Sequence, residues 1–348
     1  MDFSLLERLS NAFGISGRED EVREIVKEEL KGLCDEVWVD NLGSVIGHRK
    51  GSPPRLVLDA HIDEVGFMVN HIDKEGFVRV LPVGGVDQRV FYAQRVKIFG
   101  RKLIKGVVGS TPPHLTRGQQ SELGRVPEIE DCFIDTGLPR DVVLKNVRVG
   151  DYVGFDSHFF DNGESLFGKA FDNRIGVFAM IEGLKAAKES SADLYLVGAV
   201  QEEIGVRGAS ASAFSVAPDL AIALEGTIAN DCPGVPQEKR LARHGLGPEL
   251  RIMDRTMLAD RDLVDYISTL GDKRGIPYQL IVKKAGSTDA RAYQIARAGV
   301  KAAAISCPVR YIHSPVGIAR QADVAATVSL VTAVIEEIGE MRLDLHSK

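Results

Sequence analysis

The chain has 348 residues, is 44% hydrophobic and 26% charged, and carries a net charge of −6. A length beyond the usual reach of one hydrophobic core predicts a main domain with a smaller companion. The acidic balance, with no concentrated basic stretch, excludes nucleic acid or an anionic membrane as the principal partner, because phosphate contact needs a positive surface.

The opening MDFSLLERLSNAFG predicts an amphipathic helix over residues 2 to 13, with Leu5, Leu6, Leu9 and Phe13 on one side and Gly14 as its stop. It reads unlike an export signal, and no segment is apolar for long enough to cross a bilayer, so a cytoplasmic protein is expected. A second helix follows, with Ser16 as its N-cap and Val22, Ile25, Val26 and Leu30 on its buried face. Then come VWVD, a turn at Asn41, Leu42 and Gly43, SVIGHR, and RLVLDAHID, an apolar strand that ends in polar residues.

Between residues 66 and 158 the texture changes to short alternating runs such as FMVNHI, FVRVLPV and QRVKIFG, punctuated by Gly and Pro. From Asp172 helices and apolar strands alternate. A helix runs to about Glu189, then strands LYLVGAV and LAIALE, a helix near 260 to 274, a strand YQLIV, a helix near 288 to 298, a strand AAAIS and a last helix from about 320. The expected fold is α/β, with a mixed sheet covered by helices on both faces. Residues 66–158 form a β-rich insertion between two segments, 1–65 and 159–348, of one domain. The four cysteines, Cys34, Cys132, Cys232 and Cys307, form no CxxC pair and are expected to be reduced and buried.

Ligands of open α/β sheets bind at the carboxyl ends of the strands, so those ends are where chemistry is sought. His61 and Asp63 follow RLVLDA, Glu202 and Glu203 follow LYLVGAVQ, Glu225 follows LAIAL, and His313 lies a few residues past AAAIS; Asp172 adds a fifth point at a helix start. Taken singly each has an ordinary use: a hydrogen-bonded turn for the His-x-Asp, a helix cap for Asp172, a solvated pair for the two glutamates, a packed loop for His313. Together they form a mixed nitrogen and oxygen donor set suited to Zn²⁺, or to Co²⁺ or Mn²⁺. Of two adjacent glutamates, one can bind a cation while the other takes a proton from water. Asp172 is the central candidate to bridge two cations, and Asp63 is spaced to accept the second ring N–H of His61.

The motifs LDAHIDEVGFMV, GKAFDNRIGV, QEEIGVRGA, GVVGSTPPHL, STDARAY and RYIHSP together resemble those of the tetrahedral or deblocking aminopeptidases, metallopeptidase family 42, which include the bacterial glutamyl aminopeptidases. The resemblance runs through nearly the whole chain. It implies a fold of the co-catalytic zinc exopeptidase type, interrupted by a PDZ-like β domain that builds dimers and commonly a tetrahedral dodecamer. It further implies two divalent metal ions per subunit, one on His61, Asp172 and Glu225 and one on Asp172, Glu203 and His313. Glu202 would be base and then acid in releasing N-terminal residues from short peptides.

Glu225 departs from the family's usual Asp, and a Glu there can accompany carboxypeptidase or deacylase action. A metal-dependent deacylase or carboxypeptidase on the same scaffold is therefore the alternative reading. A non-catalytic assembly protein is a third, against which Glu202 speaks, since a metal shell alone needs no spare carboxylate. Glycoside hydrolysis, which uses two carboxylates flanking the sugar bond without a metal between them, finds no counterpart here. Arg251 and Arg255 are candidates to favour acidic side chains, although surface ion pairing is the expected fate of either.

Overall fold

A computed structural model describes residues 1–110 and 126–341. Two short helices, α1 (Ser4–Asn11) and α2 (Asp20–Leu30), lead into β1 (Glu36–Val39), β2 (Val45–Arg49) and the long β3 (Ser52–His61). Ser16 does not cap α2, which begins four residues later behind Glu19. Its hydroxyl instead donates to Asp63, 2.6 Å away, so a side chain expected to serve local structure serves the end of β3.

Six strands then close on themselves: β4 (Gly66–Ile72), β5 (Val78–Val83), β6 (Arg95–Phe99), β7 (Leu103–Gly109), β8 (Phe133–Asp135) and β9 (Tyr152–Phe155), in the order β4-β5-β8-β7-β6-β9. Phe67, Phe91, Ile98, Ile134 and Val153 fill this barrel, and its period-2 alternation is what the short runs of sequence encode. A helix the alternation did not announce, α3 (Arg140–Asn146), lies before β9. Of the GVVGSTPPHL motif, the residues from Thr111 onward lie outside the described residues.

The chain returns through β10 (Phe160–Asp161) and β11 (Ser165–Gly168) to α4 (Phe171–Ala186), β12 (Ala192–Ala199), α5 (Arg207–Val216), β13 (Leu220–Ile228) and β14 (Glu249–Met253). It ends with α6 (Arg261–Arg274), β15 (Gln279–Val282), α7 (Ala290–Gln294), β16 (Lys301–Arg310), β17 (Gly317–Arg320) and α8 (Gln321–Glu337). The helix expected near 288 to 298 is thus only one short turn and a half, because the Thr288 and Asp289 side chains face inward and are wholly buried. Helix α5 and strand β14 were not foreseen.

The strands form one mixed sheet, ordered β1-β2-β12-β3-β13-β16-β17-β11-β10, with β14 and β15 branching from β16. Its centre, β12-β3-β13-β16, is parallel, and the flanking β2 and β17 are antiparallel. Alternate residues of these central strands fall in different apolar clusters. Leu56, Leu58, Leu196, Ile222 and Leu224 pack with the large side chains of α1, α4 and α8, whereas Val57, Ala221, Ala223 and Ala304 meet the small residues of α5 and α7. Among the described residues no helix is long and apolar enough to cross a membrane.

Candidate metal centre

The four central strands run parallel and in close register, Ala199 beside His61 and Glu225 beside Ser306, so their carboxyl ends share one rim. All seven residues singled out in the sequence meet there. His61 is the last residue of β3, Glu225 lies within β13, Glu202 and Glu203 follow β12, and His313 follows β16. Asp172 sits in an irregular segment, since it and Asn173 depart from helical backbone angles, so it is not a helix cap.

The two oxygens of Asp172 face different histidines: Oδ1 is 3.3 Å from His61 Nε2 and Oδ2 is 3.3 Å from His313 Nε2. Around the first gather His61 and Glu225, with Oε2 of the latter 3.6 Å from His61 Nε2. Around the second gather His313 and Glu203, with Oε1 of the latter 3.2 Å from His313 Nε2. Donors bonded to one Zn²⁺ at about 2.0–2.2 Å in a tetrahedron stand about 3.3–3.6 Å apart, so this spacing fits a cation at the middle of each set. Glu203 Oε1 adds a second sign of fit, being buried without a hydrogen-bond partner among the described residues. His61, Glu202 and Glu203 also come within 4.8 Å of one another.

Each histidine is oriented from behind. Nδ1 of His313 lies 2.8 Å from the Gly85 carbonyl, contributed by the stretch between β5 and β6, so the barrel helps to build the site. Nδ1 of His61 lies 3.2 Å from the Asp63 carbonyl and 3.4 Å from its carboxylate. Either contact leaves Nε2 toward the acidic centre. The Asp63 carboxylate also accepts the backbone N–H groups of Glu202 and Glu203 at 2.9 and 3.1 Å, which fixes the turn that carries both.

The electrostatics are those of crowded carboxylates. Burial, reinforced by the charges of Glu225, Glu203 and Asp63, pushes the Glu202 carboxyl well above its ordinary range, and burial also raises Glu203. Asp172 goes the other way: burial opposes its ionisation, but His313 and His61 hold it below the usual carboxylate range. Burial pulls His313 down, yet Asp172 and Glu203 outweigh it and push the imidazole up to about 11. Such a cluster favours positive charge at its middle.

Residues without an assigned role in the sequence reading complete the surroundings. Thr288 Oγ1 donates to Glu225 Oε1 at 2.7 Å, leaving the other oxygen toward His61. Beneath lie the buried Asp59 and Asp289, with Tyr293 donating its hydroxyl to Asp59 at 2.7 Å; burial raises both carboxyls, Asp59 to about 7. The readable signal was a charged residue inside an apolar strand, at Asp59 in RLVLDAH.

A cavity of about 550 Å³ opens over the centre and extends to Thr227, Arg251, Lys283 and Arg291. Arg251 is buried, so the expected surface ion pair is corrected. It gives Nε to Glu249, Nη1 to Asp254 and the Ser287 carbonyl, and Nη2 to Thr227 and Ser306, which uses all five N–H groups. Lys283 donates to Thr227 and Glu249 in the same wall. Arg255 is exposed. Asp231, farther along from Glu225, is clamped by Arg310 at 2.7 Å.

The fold is that of an aminopeptidase, a hydrolase of peptide bonds. The M42 glutamyl aminopeptidase family model matches residues 43–330, and the chain belongs to that family. It is 36% identical over 349 residues to a lysyl aminopeptidase of Pyrococcus furiosus, covering 98% of this chain and 99% of that one. Among solved structures it is similar to aminopeptidase APDkam598 of Desulfurococcus kamchatkensis, with TM-score 0.93, 37% identity and coverage of 99% and 98%. It is also similar to the TET1 peptidase of Pyrococcus horikoshii, with TM-score 0.86, 31% identity and coverage of 96% and 99%, a protein described as assembling into a tetrahedron or a large octahedral shell.

Proposed function

We propose that the chain is a two-metal aminopeptidase that removes N-terminal residues from short peptides. One divalent cation is held by His61, Asp172 and Glu225, the other by Asp172, Glu203 and His313, with Zn²⁺, Co²⁺ or Mn²⁺ suiting the donors. The observation that carries this reading is the division of the two Asp172 oxygens between two histidines. Bound there, divalent cations lower the pKa of water toward neutrality and polarise a carbonyl.

Glu202 faces the cavity beside the donor set and takes the proton of the attacking water at its carboxylate, then returns it to the leaving amine. Asp63 acts through others: it aligns His61 and holds the backbone from which Glu202 and Glu203 project. Lys283, although paired with Glu249, brings a positive charge to the far wall of the cavity, which favours acidic or neutral over basic N-terminal side chains.

The architecture fits this use. Residues 1–65 and 159–348 make the catalytic domain, with helices on both faces of its sheet, and residues 66–158 make a PDZ-like unit that supplies Gly85 and a dimer contact. The kinship with the TET1 peptidase supports a homo-oligomer, a tetrahedral dodecamer built from dimers in the cytoplasm, whose interior admits peptides and excludes folded proteins.

Metal analysis and a panel of free and N-acetylated aminoacyl anilides, run on the same preparation, test the reading. Two cations per chain with hydrolysis of the free series support it. Hydrolysis of the blocked series alone would favour the deacylase alternative raised by Glu225, and a metal-free active protein would sink both.

A further inference from the structure

The GKAFDNR motif supplies one donor, Asp172, yet its next two residues reach toward the neighbourhoods of the other donors of that cation set. The segment needs outside support, because Ala170 lies in the left-handed region (φ 55°, ψ 28°) and Asp172 and Asn173 are not helical. Asn173 is wholly buried. Its Nδ2 donates to the Leu224 carbonyl at 2.7 Å, and its Oδ1 accepts the Gly226 N–H at 3.0 Å, so one amide grips the backbone on both sides of Glu225. The approach is close: a Cβ on Gly226 would lie 2.4 Å from the Phe171 carbonyl oxygen.

Arg174 turns to the opposite partner. Its buried guanidinium donates from Nη1 to the carbonyl of Ile62, the residue after His61, from Nε to the Leu9 carbonyl at 3.1 Å, and from Nη2 to Glu64 at 3.2 Å. Glu64 is itself fixed by Lys169 Nζ at 2.6 Å and by the Gly14 N–H at 3.1 Å. Gly14 is bare of a side chain where the guanidinium passes, since a Cβ there would stand 2.6 Å from Nη2. Three separate acceptors met by one planar fork is a task that a lysine ammonium cannot repeat in the same geometry.

We infer that Asn173 and Arg174 are positioning residues that hold the Glu225 and His61 backbones against Asp172, and so set the first donor set at cation-binding distance. Neither side chain lines the cavity, so neither touches substrate. The inference rests on the two-cation reading above. Loss of groups that orient metal ligands typically weakens the metal about 10–100-fold, which sets the scale of the effect.

The test titrates Zn²⁺ into the metal-stripped full-length protein by calorimetry, for the wild type, Arg174→Lys and Asn173→Ser. Each variant should retain one cation with affinity near that of the wild type and bind the other at least about tenfold more weakly. Its kcat should recover as Zn²⁺ is raised, which a general folding defect would not do. Leu6→Ala, a core truncation in α1, serves as a control that lowers the melting temperature while keeping both cations. Should Arg174→Lys fail to fold, Asn173→Ser decides. Two cations bound at wild-type affinity by a folded variant would overturn the inference alone, as would equal loss of a cation in Leu6→Ala. Fewer than two cations in the wild type would overturn the two-cation reading and this inference with it.

Discussion

Replacing Glu202 by Gln removes a proton acceptor while keeping the shape of the side chain. The backbone of residue 202 stays clamped by Asp63 at 2.9 Å, and no described group donates a hydrogen bond to the Glu202 carboxylate, so the exchange breaks no visible contact. It also deletes one of several mutually repelling carboxylates, which leaves the five candidate donors of the two proposed cation sets in place. A positioned general base contributes about 10²–10⁴ in rate, or about 3–5 kcal/mol of barrier. The expected outcome is therefore a kcat on aminoacyl anilides reduced by about that factor, with two cations still present by mass spectrometry of the same preparation. A kcat within about threefold of the wild type at equal metal content would refute the assignment, because a loss of the base cannot be that mild. Loss of a cation would refute it differently, by making Glu202 a ligand.

His313→Ala should cost one of the two cations, measured by metal analysis after dialysis, while the His61 set keeps the other. Lys283→Met leaves Glu249 paired with Arg251 but strips one positive charge from the cavity wall. The ratio of kcat/KM between glutamyl and lysyl anilides should then fall by about tenfold, about 1.4 kcal/mol, and an unchanged ratio would remove Lys283 from side-chain selection. Glu19 is buried and burial pushes its carboxyl up to about 7 from 4.5. A raised acid stabilises the fold fully below its unfolded value and loses that contribution as pH climbs through the folded one, here between about 4.5 and 7. Glu19→Gln should therefore raise stability at pH 8 but not at pH 4, by up to about 3 kcal/mol in urea melts.

The convergence of the candidate donors was legible because they break a pattern: imidazole and carboxylate groups at the ends of apolar strands stand out against the runs before them, and the parallel sheet does the rest by aligning those ends. What was missed follows from the same logic. Helix α5, RGASASAFSV, has small residues on its packed side, where Ala209 and Ala213 join a cluster with Val197 and Ala199 of β12, so it carries little apolar contrast. Strand β14, ELRIM, puts Glu249 and Arg251 in the interior, where a pattern reader takes charges as surface. Ser16 had the right chemistry for a cap and spends it on Asp63 instead.

The harder cases are side chains that act through backbone groups distant in sequence. Asn173 binds the carbonyl of Leu224, 51 positions along, and Arg174 binds that of Ile62, 112 positions back. A carbonyl carries no side-chain identity, so nothing at position 62 or 224 records that an arginine or an asparagine depends on it. Donor residues of a metal site can be found by type; the groups that hold donors together can be found only where the fold brings backbone to side chain. The same holds for Thr288, whose hydroxyl matters because it reaches Glu225, and whose type alone predicts nothing. Variation at a metal centre should accordingly be judged by what grips the strand beside each donor, and a glutamate in place of an aspartate by what takes up its second oxygen.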